Sequence, residues 1–592
     1  MKKLLTGNEA VAQGAYEAGV TYAAAYPGTP STEILENIAK FKKDIIAEWA
    51  PNEKVAMENA IGASIAGARA LAAMKMVGVN VAADPLFSFA YSGVNGGMVL
   101  ITGDDPGLHS SQNEQDNRHY AKFAKIAMIE PSDSQESKDM IKAAMEISEK
   151  YNTPILFRMT TRVCHSKSLV EIGERTEDSK KPYVKNLAQY DLIPSVSKRL
   201  RAELEERLHK LADFADETDL NYFEWNDSKI GIISSGVAYQ YAKEVFGDKA
   251  SYLKLGFTYP LPEKKIKKFS SQVETLYIVE ELEPYLEEQI RQMGITCIGK
   301  EKIPNMYELS PEIIAKSLLG EENPLIQYDR SLVANRPPVL CAGCPHRGFF
   351  YELGKKKNLV IAGDIGCYAL GGADPLNAKD LAICMGAAPS IGHGMQKVFN
   401  KFNENRRVIA TIGDSTFFHT GINGIMNTAY NRSNTITVIL DNRITGMTGH
   451  QDHPGTGFTL QGMPTKALPI ENVVRALGID HVRTINPLKL TEVKEALDWA
   501  LALDEAAVII TRWPCILKKQ SLQDKEEFGD YMATCEINPK LCIGCKMCIK
   551  TGCPALRFNK ENKKVIIDSV QCVGCEVCLQ VCPVKAIKKV GE

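Results

Sequence analysis

Residues 407–442 read RVIATIGDSTFFHTGINGIMNTAYNRSNTITVILDN. Val408 to Ile412 is a short apolar run that stops at Gly413-Asp414-Ser415, and Ile436 to Leu440 is a second that stops at Asp441-Asn442. Two such runs separated by a helical segment describe parallel strands joined by a helix. The turn residues then lie at the C-terminal edge of a sheet, the usual ligand crevice of such folds. The side chains of Asp414 and Asn442, with a backbone carbonyl near Ile444, are hard oxygen donors suited to octahedral Mg2+. Ser415 and Thr416 open the following helix, where free N–H groups favour an anion.

A Gly-Asp-small turn, a helix and a strand ending in Asn form the signature of a thiamine diphosphate site. Gly413-Asp414-Ser415 alone could be a simple turn; the Asn at the end of the next strand decides against that. Ser415 stands where Gly is usual and Asp441 where Asn is usual, but both metal-binding side chains are kept. The cofactor supplies an electron sink and the protein tunes it, so a carboxylate is needed at the aminopyrimidine ring. Glu53, in Asn52-Glu53-Lys54-Val55-Ala56, precedes the small-residue run Ile61-Gly62-Ala63-Ser64 and is preferred to Glu58.

Outward from this stretch, NLVIAGDIG and AAVIITRW continue a strand–helix alternation over 329–525. A similar alternation fills 1–175: VTYAAAYP, VGVNVAAD, GGMVLITGDD and TPILFRMTT read as strands, and Ala60 to Ala73 as a small-residue helix. Residues 176–227 read as a helical linker, with Leu200, Leu204, Leu208, Leu211 and Phe214 on one face. Residues 228–328 carry IGIISSG, SYLKLGF and TLYIVEEL and read as a smaller α/β domain. A charged break from Lys518 to Gly529 precedes a domain at 530–592.

That last domain holds Cys542-x2-Cys545-x2-Cys548-x4-Cys553-Pro554 and Cys572-x2-Cys575-x2-Cys578-x3-Cys582-Pro583. These are the ligand runs of a two-cluster [4Fe-4S] ferredoxin, in which the fourth cysteine of each run serves the other cluster. One set is then Cys542, Cys545, Cys548 and Cys582, and the other Cys572, Cys575, Cys578 and Cys553. Zinc sites favour two close pairs rather than such triplets, and disulfides need an oxidising compartment. The chain therefore moves single electrons, in a reducing cytoplasm and an anaerobic setting.

With 592 residues the chain forms several domains, and a formal net charge of −2 gives no basic surplus for nucleic acid. The N-terminus MKKLLTGNEAVAQG lacks a secretory apolar run, and no membrane-length run of about 18 apolar residues occurs.

The stretches YPGTPSTEI (26–34), NEKVA (52–56), GVNVAADP (78–85), HSSQNEQDNR (109–118), CAGCPHR (341–347), GDIGCYALG (363–371) and ICMGAAPSIGHG (383–394), with the cysteine tail, resemble the 2-oxoacid:ferredoxin oxidoreductases, and most closely the large subunit of the indolepyruvate-type enzymes. The resemblance covers essentially the whole chain. It implies an α/β multidomain fold: two doubly wound parallel-sheet thiamine diphosphate domains (pyrimidine-binding type at 1–175, diphosphate- and Mg-binding type at 329–525), a transketolase-C-like domain and a ferredoxin domain. It implies oxidative decarboxylation of an aryl 2-oxoacid, with CO2 released, the acyl group passed to CoA and electrons passed to ferredoxin. Indolepyruvate, phenylpyruvate and 4-hydroxyphenylpyruvate are the substrates in view. It further implies a separate small β subunit and a dimer of heterodimers. A third cluster near the thiamine would use Cys341, Cys344, Cys367 and Cys515; the alternative is a tight turn with buried thiols. Thr29 matches a residue near substrate, and Gly28, where the pyruvate-type relatives carry Ile, is expected to open space for a larger substrate side chain. His346, His393 and His450 are expected to be structural or supporting. Two other functions are kept open: oxidation of another 2-oxoacid such as pyruvate, and an electron-transfer subunit without thiamine chemistry.

Overall fold

Strands Tyr22–Ala25 and Ala70–Lys75 are alanine-rich and buried on both faces, so helices can press close from either side. They sit within a seven-stranded sheet whose order is Phe257–Tyr259, Ala127–Ile129, Ile155–Thr160, Met98–Asp104, Ala70–Lys75, Tyr22–Ala25 and Ile46–Trp49. All neighbours are parallel except the first edge pair. The computed structural model describes residues 1–176, 180–226, 229–322, 329–334, 336–529 and 533–591. The chain divides into two compact units, 1–328 and 329–592.

Two expectations fail in the first unit. The helix foreseen over Ala60 to Ala73 is Glu53–Ile65, and Ala70–Lys75 is a strand. Alanine is the best helix former, but Ala72 lies between Ala24 and Leu100 on flanking strands, and tertiary pairing overrides propensity. Gly67 breaks the helix from the strand at φ +97°, where an added Cβ would lie 1.9 Å from the Lys181 carbonyl oxygen. The strand foreseen at VGVNVAAD is instead helical, within Met76–Val81 and Ala83–Ser92. Of its valines only Val79 is buried, and the loop at 105–117 is tied to the start of the first helix: the Gln115 and Asn117 amides donate to the Met76 carbonyl at 3.2 and 3.0 Å.

Helix Pro194–Glu217 buries Leu200, Leu204 and Leu211 as the spacing predicts. The stretch 176–227 is more than a linker, however: Asn221–Glu224 is an edge strand, antiparallel to Ser251–Leu255. The four-stranded sheet runs Thr275–Val279, Ile230–Ser235, Ser251–Leu255, Asn221–Glu224. The chain then leaves it, and Phe257–Tyr259 joins the seven-stranded sheet. Arg118 pins the two sheets together: its fully buried guanidinium pairs with Asp116 and Glu280 at 2.5 Å and donates to the carbonyls of Glu281 and Glu283. The boundaries expected at 227/228, 328 and 530 fall on residues outside those described.

The second unit holds a five-stranded parallel sheet: Leu359–Ala362, Arg407–Gly413, Ile436–Asp441, Ala507–Arg512 and His481–Ile485. The charged break at 518–529 contains a short helix, Leu522–Phe528, started by a Ser521/Asp524 capping box. In the tail, Cys535–Ile537 pairs with Ile587–Lys589, and Leu556–Asn559 with Lys564–Ile567. Among the described residues no helix is long and apolar enough to cross a membrane.

Candidate functional site

In the second unit, strands Arg407–Gly413 and Ile436–Asp441 lie side by side and end together, which brings Asp414 and Asn442 to one sheet edge. Both are buried, with Gly413, Ser415, Thr416 and Ile444. The Ser415 N–H donates to Asp414 Oδ1 at 2.8 Å, and Thr445 Oγ1 donates to Ser415 Oγ at 2.9 Å. His453 Nε2 lies 3.1 Å from Asp414 Oδ2. Because His453 Nδ1 accepts the Gly455 N–H at 3.1 Å, the ring proton sits on Nε2 and is donated to Asp414. Burial alone would raise the Asp414 carboxyl, but His453 and the Ser415 N–H outweigh it and hold the group below the usual range.

Asp441, the departure from the usual Asn, is raised by burial and by Asp414, against Arg512 and Arg443. Arg512 Nε donates to Asp441 Oδ2 at 2.6 Å, so this second acid is engaged by an arginine. Buried Asp364 is pushed up to about 6, chiefly by desolvation, although its oxygens accept the N–H groups of Ile365, Gly386 and Ala388. Asp414, Asn442 and the Ile444 carbonyl would offer a Mg2+ ion one carboxylate, one amide oxygen and one carbonyl, donors of the hard kind it takes. Among the described residues no three His, Cys, Asp or Glu side chains converge on a single ion; the Mg set, with only one acid, is of a different kind.

Beside this edge the chain gathers Cys341, Cys344, Cys367 and Cys515. Burial pushes the Cys344 thiol up to about 12, with Cys367 and Cys515 adding to the shift and Arg347 opposing it. Cys367 is pushed up to about 11 by burial, then by Cys515 and Cys341. A Cβ on Gly446 would touch both Cys367 Sγ (3.7 Å) and Asn442 Nδ2 (3.5 Å), so the thiols border the metal-ligand turn. The Cys515 N–H donates to the Asn442 carbonyl at 2.9 Å, and its sulfur lies 3.7 Å from His450 Nε2. None of the sixteen cysteines is in a disulfide. His346 is buried against Tyr368 and its pKa falls to about 4 through burial; His393 lies on the helix Ala388–Lys401.

The tail encloses two cavities. One, about 310 Å3 of space partly open to solvent, is lined by Cys542, Cys545, Cys548 and Cys582. The other, about 300 Å3, is lined by Cys553, Cys572, Cys575 and Cys578, and also by Cys535, Ala342 and Gly343. Each run thus sends its fourth cysteine to the other cavity. Cys535 lies outside both runs, and its backbone N–H points at Cys572 Sγ (3.4 Å). Gly343 abuts this cavity so closely that a Cβ would lie 2.1 Å from Val573 Cγ2. Buried Arg347 spans the join, donating to the carbonyls of Leu340 (2.6 Å), Cys341 (2.8 Å) and Thr551 (2.9 Å).

In the first unit Glu53 is the first residue of helix Glu53–Ile65, capped by Asn52, whose Oδ1 accepts the Val55 N–H at 2.9 Å. It is 6% exposed, and its carboxylate covers Gly78, where a Cβ would come within 2.7 Å of Oε1. Glu58 instead forms an exposed ion pair with Lys54. Thr29 is half-buried in the Pro-Gly turn, with its carbonyl facing Ser110 Oγ at 3.3 Å. Gly28 does not face open space: a Cβ there would meet Lys75 Cβ at 2.8 Å, so its bareness makes room for Lys75 rather than for a substrate side chain. Lys75, His453, Asp364 and Cys535 were not singled out from the sequence. A lone Lys or His carries no spacing signal; Cys535, seven residues before the first run, was the one open to notice.

A parallel α/β sheet in each unit, with two cysteine-lined cavities in the tail, defines an electron-transferring thiamine diphosphate enzyme. Residues 13–198 match the family described as pyruvate flavodoxin/ferredoxin oxidoreductase, thiamine diP-bdg; 364–511 match thiamine pyrophosphate enzyme, C-terminal TPP binding domain; and 534–583 match 4Fe-4S dicluster domain. The chain is 42% identical to "Indolepyruvate oxidoreductase subunit IorA" of Archaeoglobus fulgidus, over 99% of this chain and 97% of that protein. It is 40% identical to the protein of the same name from Pyrococcus horikoshii, over 100% and 97%. "2-oxoglutarate synthase subunit KorA" of Archaeoglobus fulgidus is 25% identical over 47% of this chain and 87% of its own. The chain belongs to the indolepyruvate oxidoreductase subunit IorA family, whose members are oxidoreductases of 2-oxoacids built on thiamine diphosphate and [4Fe-4S] clusters.

Proposed function

We propose that this chain is the large subunit of an aryl 2-oxoacid:ferredoxin oxidoreductase that converts indolepyruvate, phenylpyruvate or 4-hydroxyphenylpyruvate to the aryl-acetyl-CoA with loss of CO2. The observation that carries it is the border shared at Gly446 by Asn442 and Cys367: a thiamine site with an electron acceptor alongside. Bound thiamine diphosphate supplies the electron sink for decarboxylation, and the clusters take electrons singly.

The residues divide the remaining work. Asp414, Asn442 and the Ile444 carbonyl hold Mg2+, with His453 steadying Asp414. Gly413, Ser415 and Thr416 receive the diphosphate. Glu53 holds the proton at the aminopyrimidine nitrogen, and Thr29 faces substrate. Cys341, Cys344, Cys367 and Cys515 hold a third cluster; Cys572, Cys575, Cys578 and Cys553 hold the next, and Cys542, Cys545, Cys548 and Cys582 the outermost. The lining of the second tail cavity by Ala342 and Gly343 supports that order. A small β subunit, CoA and ferredoxin complete the system, as a cytoplasmic dimer of heterodimers.

The test is anaerobic viologen reduction by the co-purified complex over a panel of 2-oxoacids, with and without CoA. CoA-dependent reduction strongest with arylpyruvates is expected. Strongest reduction with pyruvate or 2-oxoglutarate would discard the aryl preference. No reduction by protein holding thiamine diphosphate and clusters would favour an electron-transfer subunit. An iron count of about twelve per chain is expected, against about eight without the third cluster.

A further inference from the structure

Four strands of the seven-stranded sheet end at the same edge and deliver the residues around Thr29. Tyr22–Ala25 leads to Gly28-Thr29, Ile46–Trp49 leads to Glu53, Ala70–Lys75 ends on Lys75 itself, and Met98–Asp104 leads to Asp105 and Ser110. This C-terminal edge is where parallel α/β sheets bind ligands. Lys75 is 9% exposed. Its ammonium donates to the Ser110 carbonyl at 2.6 Å and to Ser110 Oγ at 3.3 Å, which leaves one of its three donors without a partner among the described residues.

Other deeply buried lysines of the same unit sit on carboxylates: Lys254 on Glu136 at 2.7 Å, and Lys138 on Glu17 at 3.0 Å. Lys75 does not. The acid whose charge reaches Lys75, Asp105, is already taken by the Ser110 N–H (2.8 Å), Ser111 Oγ (2.6 Å) and Thr161 Oγ1 (2.8 Å). Burial accordingly pulls Lys75 down to about 8, with Asp105 pulling the other way. A buried cation without a counter-charge is expensive, and Gly28 is bare so that Lys75 fits. Half-buried Thr29 on one side and exposed Ser110 on the other leave the ammonium reachable.

We infer that Lys75 is a substrate-binding residue whose ammonium takes the carboxylate of the 2-oxoacid beside Thr29, an inference that rests on the reading of this chain as a 2-oxoacid oxidoreductase. The substrate supplies the missing counter-charge. The contact is made to a group that keeps its charge until CO2 leaves, so it strengthens substrate binding more than it speeds the chemical step.

The experiment uses the co-purified complex with Lys75→Gln, which keeps a donor for Ser110 but loses the charge, and with Lys75→Arg, which keeps the charge. Lys75→Gln is expected to raise KM for the arylpyruvate at least about tenfold, as for a lost charge-assisted hydrogen bond, with KM for CoA, Tm and thiamine content unchanged. Lys75→Arg is expected to recover part of the loss. Dissociation constants from calorimetry supply a readout free of turnover: the inert 3-aryl-2-hydroxypropanoate should bind Lys75→Gln at least about tenfold more weakly, while the matching 3-aryl-1,2-propanediol, without a carboxylate, should bind both proteins alike. Equal weakening of acid and diol, or of neither, overturns the inference and leaves Lys75 as a tether for the Ser110 loop. Failure of the underlying reading looks different: the wild-type complex itself turns over no 2-oxoacid, and both conclusions fall together.

Discussion

Cysteines gather in the tail and beside the Asp414 turn, and the two gatherings are built in opposite ways. In the tail, three cysteines of each run lie within seven residues of chain, and the fourth crosses over to the other cavity. Beside Asp414, one turn gives Cys341 and Cys344, a second gives Cys367 after strand Leu359–Ala362, and the end of strand Ala507–Arg512 gives Cys515. The first kind of site is written in local spacing and needs little besides its own loops. The second exists only once a five-stranded sheet has closed.

The sharpest way to break this contrast is to remove one sulfur from each set. Cys515→Ala should cost about four irons and nearly all CoA-dependent viologen reduction, while the tail keeps its own iron. Cys575→Ser should also cost about four irons, yet leave the Asp414-side set intact; iron analysis with EPR on anaerobic protein separates the two. A fragment spanning 533–591, reconstituted with iron and sulfide, should take up about eight irons, whereas a 336–529 fragment with Cys515→Ala should take up none. Gly343→Ala tests the join: with φ +74° and Val573 in the way, it should cost about 1–3 kcal/mol, read as a lower Tm and restored in part by Val573→Ala. The smallest effect belongs to Cys535→Ala. It keeps the backbone donor to Cys572, so iron content should be unchanged and stability should move by no more than about 1 kcal/mol.

The same contrast explains what was legible beforehand. The cysteine runs and the Asp414–Asn442 pair could be read because a strand, a turn and a short spacing carry them. Cys341, Cys344, Cys367 and Cys515 could be joined only through resemblance, since no spacing connects them. The parallel sheets showed as alternating apolar runs, but Ala70–Lys75 did not: alanine's helical preference pointed one way and the neighbouring strands the other. Edge strands Asn221–Glu224 and His481–Ile485 are half-polar and carry little pattern. His453 owes its position, and Lys75 its Ser110 partner, to loops that fold back over the strand ends, a fact of three-dimensional closure alone.

Arg347 gives the join between the two gatherings a further property. Its guanidinium is 1% exposed and holds backbone carbonyls on both sides, and its charge is felt by Cys344 on one side and by Cys575 on the other. A permanent positive charge between two carriers that each become more negative on reduction steadies the added electron on either side. Were clusters held in both places, as proposed, Arg347 would act as a fixed gate bias, lowering the energy of a passing electron on both banks at once.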